Sequence, residues 1–200
     1  MRLSLPDQRD AMRATLKHEL GHAVVGDDLG LVFGGIRLDN KLPDEDEFPT
    51  LAAMGICMLG GETQFAREWW RSDDASKTFA APEYADAVAC TAVAGVVCEV
   101  MLGDGAVDTE AVLRVMRRPR NGPDIRLFCR ASNALLSVGT AAPYVERARA
   151  IIEARRDAIA LAVEQLSQHV CDVDARPGIG LPLPYEIPRS VYPAGLGRAS

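Results

Sequence analysis

The chain has no Cys-x-x-Cys pair, and its cysteines (Cys57, Cys90, Cys98, Cys129 and Cys171) are odd in number, widely spaced and set mostly in apolar runs. That spacing argues against a disulfide framework and a cysteine-lined structural zinc site, and leaves reduced thiols that pack as small hydrophobes. Positive charge is also short. Against 28 aspartates and glutamates stand 22 lysines and arginines, a net charge of −6, so the basic face that grips phosphate backbones is missing and nucleic acid is not an expected partner. No Gly-x-x-x-x-Gly-Lys-Ser/Thr stretch occurs, which excludes the usual phosphate loop of an ATPase. The N-terminus lacks a charged-then-apolar signal segment, and polar residues interrupt the apolar stretches. No membrane segment and a cytoplasmic location are therefore expected.

What is present suits a folded protein. Hydrophobic residues make up 48% and charged residues 25%, enough for one sizeable core. The expected organisation is a helical domain over residues 1–170 and an irregular tail over residues 171–200, where five prolines and four glycines disfavour another packed helix.

Pro6 and Asp7 suit a helix start, and Met12, Leu16, Leu20, Ala23 and Val24 recur at helical spacing, predicting a first helix over residues 7–25. Residues 31–38, weakened by Gly34 and Gly35, and residues 52–59 read as two strands of a small ribbon joined by an acidic loop. A short helix or turn over residues 64–71 carries Trp69 and Trp70. Pro82 then opens an apolar helix over residues 83–102, the candidate core helix. A shorter helix covers residues 109–117, and Pro119-Arg120-Asn121-Gly122-Pro123 breaks the chain before another helix near Asp124. One long amphipathic helix is expected over residues 143–170. The predicted fold class is mainly α, an array of helices with a two-stranded β-ribbon.

The first helix carries His18-Glu19-Leu20-Gly21-His22, which uses two of only three histidines in the chain. Positions 18 and 22 lie one turn apart on one face, so both imidazoles reach a single metal ion. In zinc peptidases with this spacing the intervening glutamate does not ligate. It takes the proton of a water activated by the metal as that water attacks the peptide carbonyl. Polar surface histidines, or core histidines satisfied by hydrogen bonds, are the alternative. Gly21 favours the functional reading, because a mid-helix glycine often marks the close approach of another backbone.

At these residues the sequence resembles the peptidase domain of the FtsH-type ATP-dependent zinc metalloproteases. His18-Glu19-Leu20-Gly21-His22-Ala23 is similar to that family's His-Glu-Ala-Gly-His-Ala, and three stretches follow in the family's order. Met54-Gly55-Ile56-Cys57-Met58-Leu59 is similar to its second ribbon strand. Residues 94–103, with Glu99, are similar to its Gly-Gly-Arg-Ala-Ala-Glu-Glu helix, and Asn121-Gly122-Pro123-Asp124-Ile125 falls where the family has Ser-Asn-Asp-Leu. Over residues 7–137 the resemblance implies an FtsH peptidase-like fold, zinc on His18, His22 and Asp124, and Glu19 as general base. Pro123-Asp124 departs from the family's Asn-Asp pair, so Glu99 stays a competing third ligand.

The implied activity is zinc-dependent hydrolysis, independent of ATP, of peptides, unfolded segments or chains brought by a separate unfoldase or delivery partner. A non-catalytic peptide-binding adaptor that keeps the fold is the alternative. Oligomeric state is left open. Residues 52–59 are either a candidate edge for an extended substrate or a purely structural ribbon strand. Arg114, Arg117, Arg118, Arg120, Arg126 and Arg130 form a basic cluster, either a solvated helix end or a receiver for an acidic group. The Trp69-Trp70 pair and His169 are left outside the site.

Overall fold

A computed structural model describes residues 5–31, 33–39, 54–59, 82–103, 107–174, 185–192 and 196. The described residues are mostly helical: α1 (Leu5–Asp28), α2 (Pro82–Met101), α3 (Thr109–Met116), α4 (Gly122–Ser132), α5 (Val138–Glu153) and α6 (Arg156–Asp174). Strands β1 (Phe33–Asp39), β2 (Met54–Leu59) and β3 (Tyr185–Pro188) form an antiparallel sheet in the order β2-β1-β3. The short helix or turn expected over residues 64–71, with both tryptophans, and most of the acidic loop lie outside the described residues.

Helix α2 is the centre of the packing. Every residue from Ala87 to Cys98 is buried, and the helix is flanked by α1, α3, α4 and α5. Its many valines would weaken an isolated helix, but burial on all sides supplies what intrinsic propensity does not. By length and composition α2 could also cross a membrane. This corrects the expectation that polar residues break up every such stretch. Here its apolar faces are covered by neighbouring helices.

Helix α1 lays Leu16, Leu20, Val24 and Val25 into the same core. It runs past Gly26 and closes at Gly30, whose φ of 85° suits a glycine after a helix end. The Leu31 amide then bonds back to the Gly26 carbonyl at 2.8 Å. The side of α1 is clamped by ion pairs from Arg155 to Asp28 at 2.6 Å and from Arg13 to Glu164 at 2.8 Å. The first is the more consequential, because the Arg155 side chain is only 11% exposed, whereas exposed pairs contribute little.

Three expectations need correction. The amphipathic stretch of residues 143–170 is not one helix but two, α5 and α6, with a turn at Ala154-Arg155. No proline or glycine marks that turn. Instead, Arg155 reaches across to Asp28, and the chain changes direction so that both α5 and α6 pack on α1. Helix α5 also starts earlier than Pro143, at a capping box in which Ser137 and Thr140 satisfy each other's backbone amides.

The ribbon is the second correction, since it has three strands rather than two. β3 comes from the segment expected to be irregular, and Ile187 pairs with Ile36, both buried. Pro188 is tolerated because β3 lies at an edge of the sheet. The third is the boundary at residue 170, which falls inside α6. Within β1 a bulge between Phe33 and Gly35, with φ of 150° at Gly35, accounts for the glycines that interrupt the strand pattern.

Candidate metal centre

The helical repeat puts His18 and His22 on the face of α1 that meets α2 and α4. That approach depends on two glycines. A Cβ at Gly21 would stand 2.5 Å from the Ala94 carbonyl oxygen and 2.6 Å from Cys98 Cβ, so only glycine lets α1 cross α2 this closely. The hint in Gly21 is thereby accounted for. A Cβ at Gly95 would stand 2.5 Å from His22 Nε2 and 2.8 Å from His18 Nε2. The missing side chain of Gly95 is the space the two imidazoles occupy.

Each ring is held by its outer nitrogen. His22 Nδ1 donates to the Thr91 carbonyl of α2 at 2.7 Å, and His18 Nδ1 donates to Glu99 Oε1 at 2.7 Å. Both Nε2 atoms therefore face inward, 2.9 Å apart. Helix α4 completes the group. Pro119–Asn121 forms a 3-10 turn after α3, and buried Asn121 anchors it by donating to the Val115 carbonyl at 2.8 Å. Gly122 and Pro123 then begin α4, which places Asp124 in its first turn, where the helix dipole favours a carboxylate.

Asp124 Oδ2 lies 3.1 Å from His18 Nε2, and Oδ1 lies 3.6 Å from His22 Nε2. Zinc at about 2.0–2.1 Å from each ligand would set ligands about 3.3 Å apart at tetrahedral corners. The separations found straddle that spacing, so His18, His22 and Asp124 form a group able to hold a metal. Glu99 lies behind His18, on the nitrogen that faces away from the group. The side chains of His18 and Asp124 keep 13% and 14% exposure, so the group is not sealed from solvent.

Titration follows this geometry. Burial alone would lower His18, but hydrogen bonds to Asp124 and Glu99 outweigh it and push His18 up to about 10. Burial does win at His22, which is lowered, with the neighbouring His18 acting in the same direction. Partial burial of Asp124 would by itself raise it, yet the two imidazoles hold it below the usual carboxylate range. Glu19 is buried beside its neighbour His18, close enough for its charge to favour the imidazolium.

The structure thus brings together His18, His22 and Asp124, with Glu19 adjacent in the chain and Glu99 behind His18. Gly95 and the Thr91 carbonyl were not foreseen as parts of the site. A second mid-helix glycine, at residue 95 of the apolar helix, was the available signal for the first; a backbone carbonyl carries none. Cys90 and Cys98 stay outside the group, and burial pushes both thiols up to about 12, as suits inert core residues. The side chain of His169 lies outside the described residues. Comparison of the chain with protein-family models, curated proteins and solved structures found no match.

Proposed function

We propose that this chain is a zinc-dependent peptidase with an FtsH-type peptidase fold, acting on peptides or unfolded segments. The observation that carries the reading is the convergence of His18 Nε2, His22 Nε2 and the Asp124 carboxylate, with the opposite nitrogen of each imidazole already committed to a hydrogen bond. That commitment puts the lone pair on the inner nitrogen whenever each imidazole is neutral, which for His18 requires loss of the proton it shares with Asp124, and such outer partners orient metal-binding histidines generally. Two nitrogens and one carboxylate oxygen suit zinc, and three protein ligands leave a position for the reaction.

Zinc held there would supply Lewis-acid polarisation of the peptide carbonyl and lower the pKa of water. His18, His22 and Asp124 would hold it. Glu19 accepts a proton from the attacking water and returns it to the leaving amine. Glu99 holds the His18 ring in register by Nδ1. β2, an edge strand among the described residues and packed on α1, offers its outer backbone groups to an extended substrate. A separate unfoldase or delivery protein would bring folded substrates within reach.

The test is metal content by elemental analysis of the wild type, His22→Ala and Asp124→Ala, with peptide-library cleavage by the wild type and Glu19→Gln. One zinc per wild-type chain, lost in both ligand variants, and cleavage abolished in Glu19→Gln with zinc retained, is the expected result. No zinc after reconstitution at neutral pH would overturn the reading. Zinc without cleavage by the wild type would point instead to a peptide-binding adaptor.

A further inference from the structure

One side chain ties the two halves of this centre together. Arg120, in the turn Pro119–Asn121, makes an ion pair with Glu99 Oε2, while Glu99 Oε1 accepts from His18 Nδ1 at 2.7 Å. The Glu99 carboxylate therefore sits between an arginine and a histidine, with 15% of its side chain exposed. The same turn leads directly into α4, where Asp124 lies four residues beyond Arg120. On its other side the turn is pinned to α3 by buried Asn121.

We infer that Arg120 is a positioning residue for the metal centre: it orients Glu99 on His18 and, through the same contact, seats the turn that delivers Asp124. The inference rests on the proposed metal site. Without Arg120, Glu99 is free to rotate off Nδ1, and the start of α4 loses its contact with α2 at the turn. A guanidinium suits the task because its planar fork fixes the direction of a carboxylate, whereas a lysine ammonium acts as a point charge. Within the basic cluster Arg120 thus receives an acidic group, and that group belongs to the chain itself.

The experiment is Zn2+ titration against a chromophoric chelator, with Co2+ absorption spectra, on the full chain. The variants are Arg120→Ala, Arg120→Lys, Glu99→Gln, the double variant Glu99→Gln with Arg120→Ala, and Arg117→Ala as an exposed control. Loss of an outer partner of a metal-binding histidine weakens metal affinity by about 10- to 100-fold. Arg120→Ala is expected to fall in that range and to change the Co2+ ligand-field bands, which a purely structural residue would leave alone. Arg120→Lys should recover part of the affinity, and Arg117→Ala should match the wild type.

In the Glu99→Gln background the further change at Arg120 should cost much less than it does alone, because the two act in series. Wild-type affinity and spectrum in Arg120→Ala would overturn the inference and leave the metal site standing. Fully additive losses in the double variant would also overturn it, by showing that Arg120 does not act through Glu99. Failure of the wild type to bind either metal would remove the proposed function together with this inference. Should Arg120→Ala fold poorly, the comparison of Glu99→Gln with Arg120→Lys carries the same test, since the first keeps the size of the carboxylate without its charge and the second keeps the cation without its fork.

Discussion

Gly95→Ala removes none of the proposed ligands and adds one methyl group, yet it should strongly weaken metal binding at the proposed site. The new Cβ would lie 2.5 Å from His22 Nε2 and 2.8 Å from His18 Cε1 and Nε2. Those distances are about 0.9 Å and 0.6 Å short of the 3.4 Å at which ordinary van der Waals contact begins. Both rings must swing outward by a comparable amount, which strains the 2.7 Å bonds to Thr91 and Glu99. Metal and catalytic groups tolerate displacements of about 0.5 Å, and misplacement by about 1 Å can cost about 100-fold in rate. Zinc affinity and any peptide cleavage should therefore fall by about 100-fold or more.

The fold should survive, because the methyl meets side-chain ends rather than backbone, and alanine for glycine within a helix favours the helix by about 0.5–1 kcal/mol. Gly21→Ala is the contrast. Its Cβ would meet the Ala94 carbonyl at 2.5 Å, a contact that moves only if α1 and α2 separate, and such overpacking costs about 1–3 kcal/mol. Zinc titration with a chromophoric chelator and thermal melts in EDTA separate the two effects. Gly95→Ala that binds zinc as the wild type does would refute the steric reasoning, as would a Gly21→Ala variant with an unchanged melting temperature.

Stability in EDTA should depend on pH in two directions. His18 is raised from 6.5 to about 10, so its contribution is complete below about pH 6.5 and is lost as pH climbs through about 10; His22 is lowered, so stability also declines as pH falls below about 6.5. Melting temperatures should peak near neutrality, and a flat profile from pH 7 to 10 would contradict the His18 hydrogen bonds. Zinc entering the proposed site would displace the His18 proton, so its affinity should rise with pH across the same range, measured by titration in matched buffers. Phe128 is fully buried on α4, four residues past Asp124, and stacks edge-on against Tyr144 with ring centres 5.4 Å apart. Phe128→Ala should cost about 3–5 kcal/mol in chemical denaturation and also weaken zinc binding; full retention of both would show that α4 is anchored otherwise.

The local features of this protein are legible without its tertiary structure. His18 and His22 share a face because an α-helix has 3.6 residues per turn, and the apolar positions of α1 and the central α2 follow from the same periodicity. Turn chemistry around Pro119–Pro123 announced the start of α4 for a local reason, since proline and glycine restrict their own backbone. Non-local choices were out of reach of such patterns. The break at Ala154-Arg155 has no breaker residue and is set by how two helices pack on α1 and by the ion pair of Arg155 with Asp28. β3 exists because β1 offers an edge to pair with, which nothing inside a proline-rich segment can report.

The site divides in the same way. The spacing of His18, Glu19 and His22 is a property of one helix, whereas choosing between Asp124 and Glu99 needs to know which nitrogen of His18 each carboxylate reaches. Only the crossing of α1, α2 and α4 decides that. It puts Asp124 at the inner nitrogen and Glu99 at the outer one, with the empty Cβ position of Gly95 as the room in which both imidazoles fit.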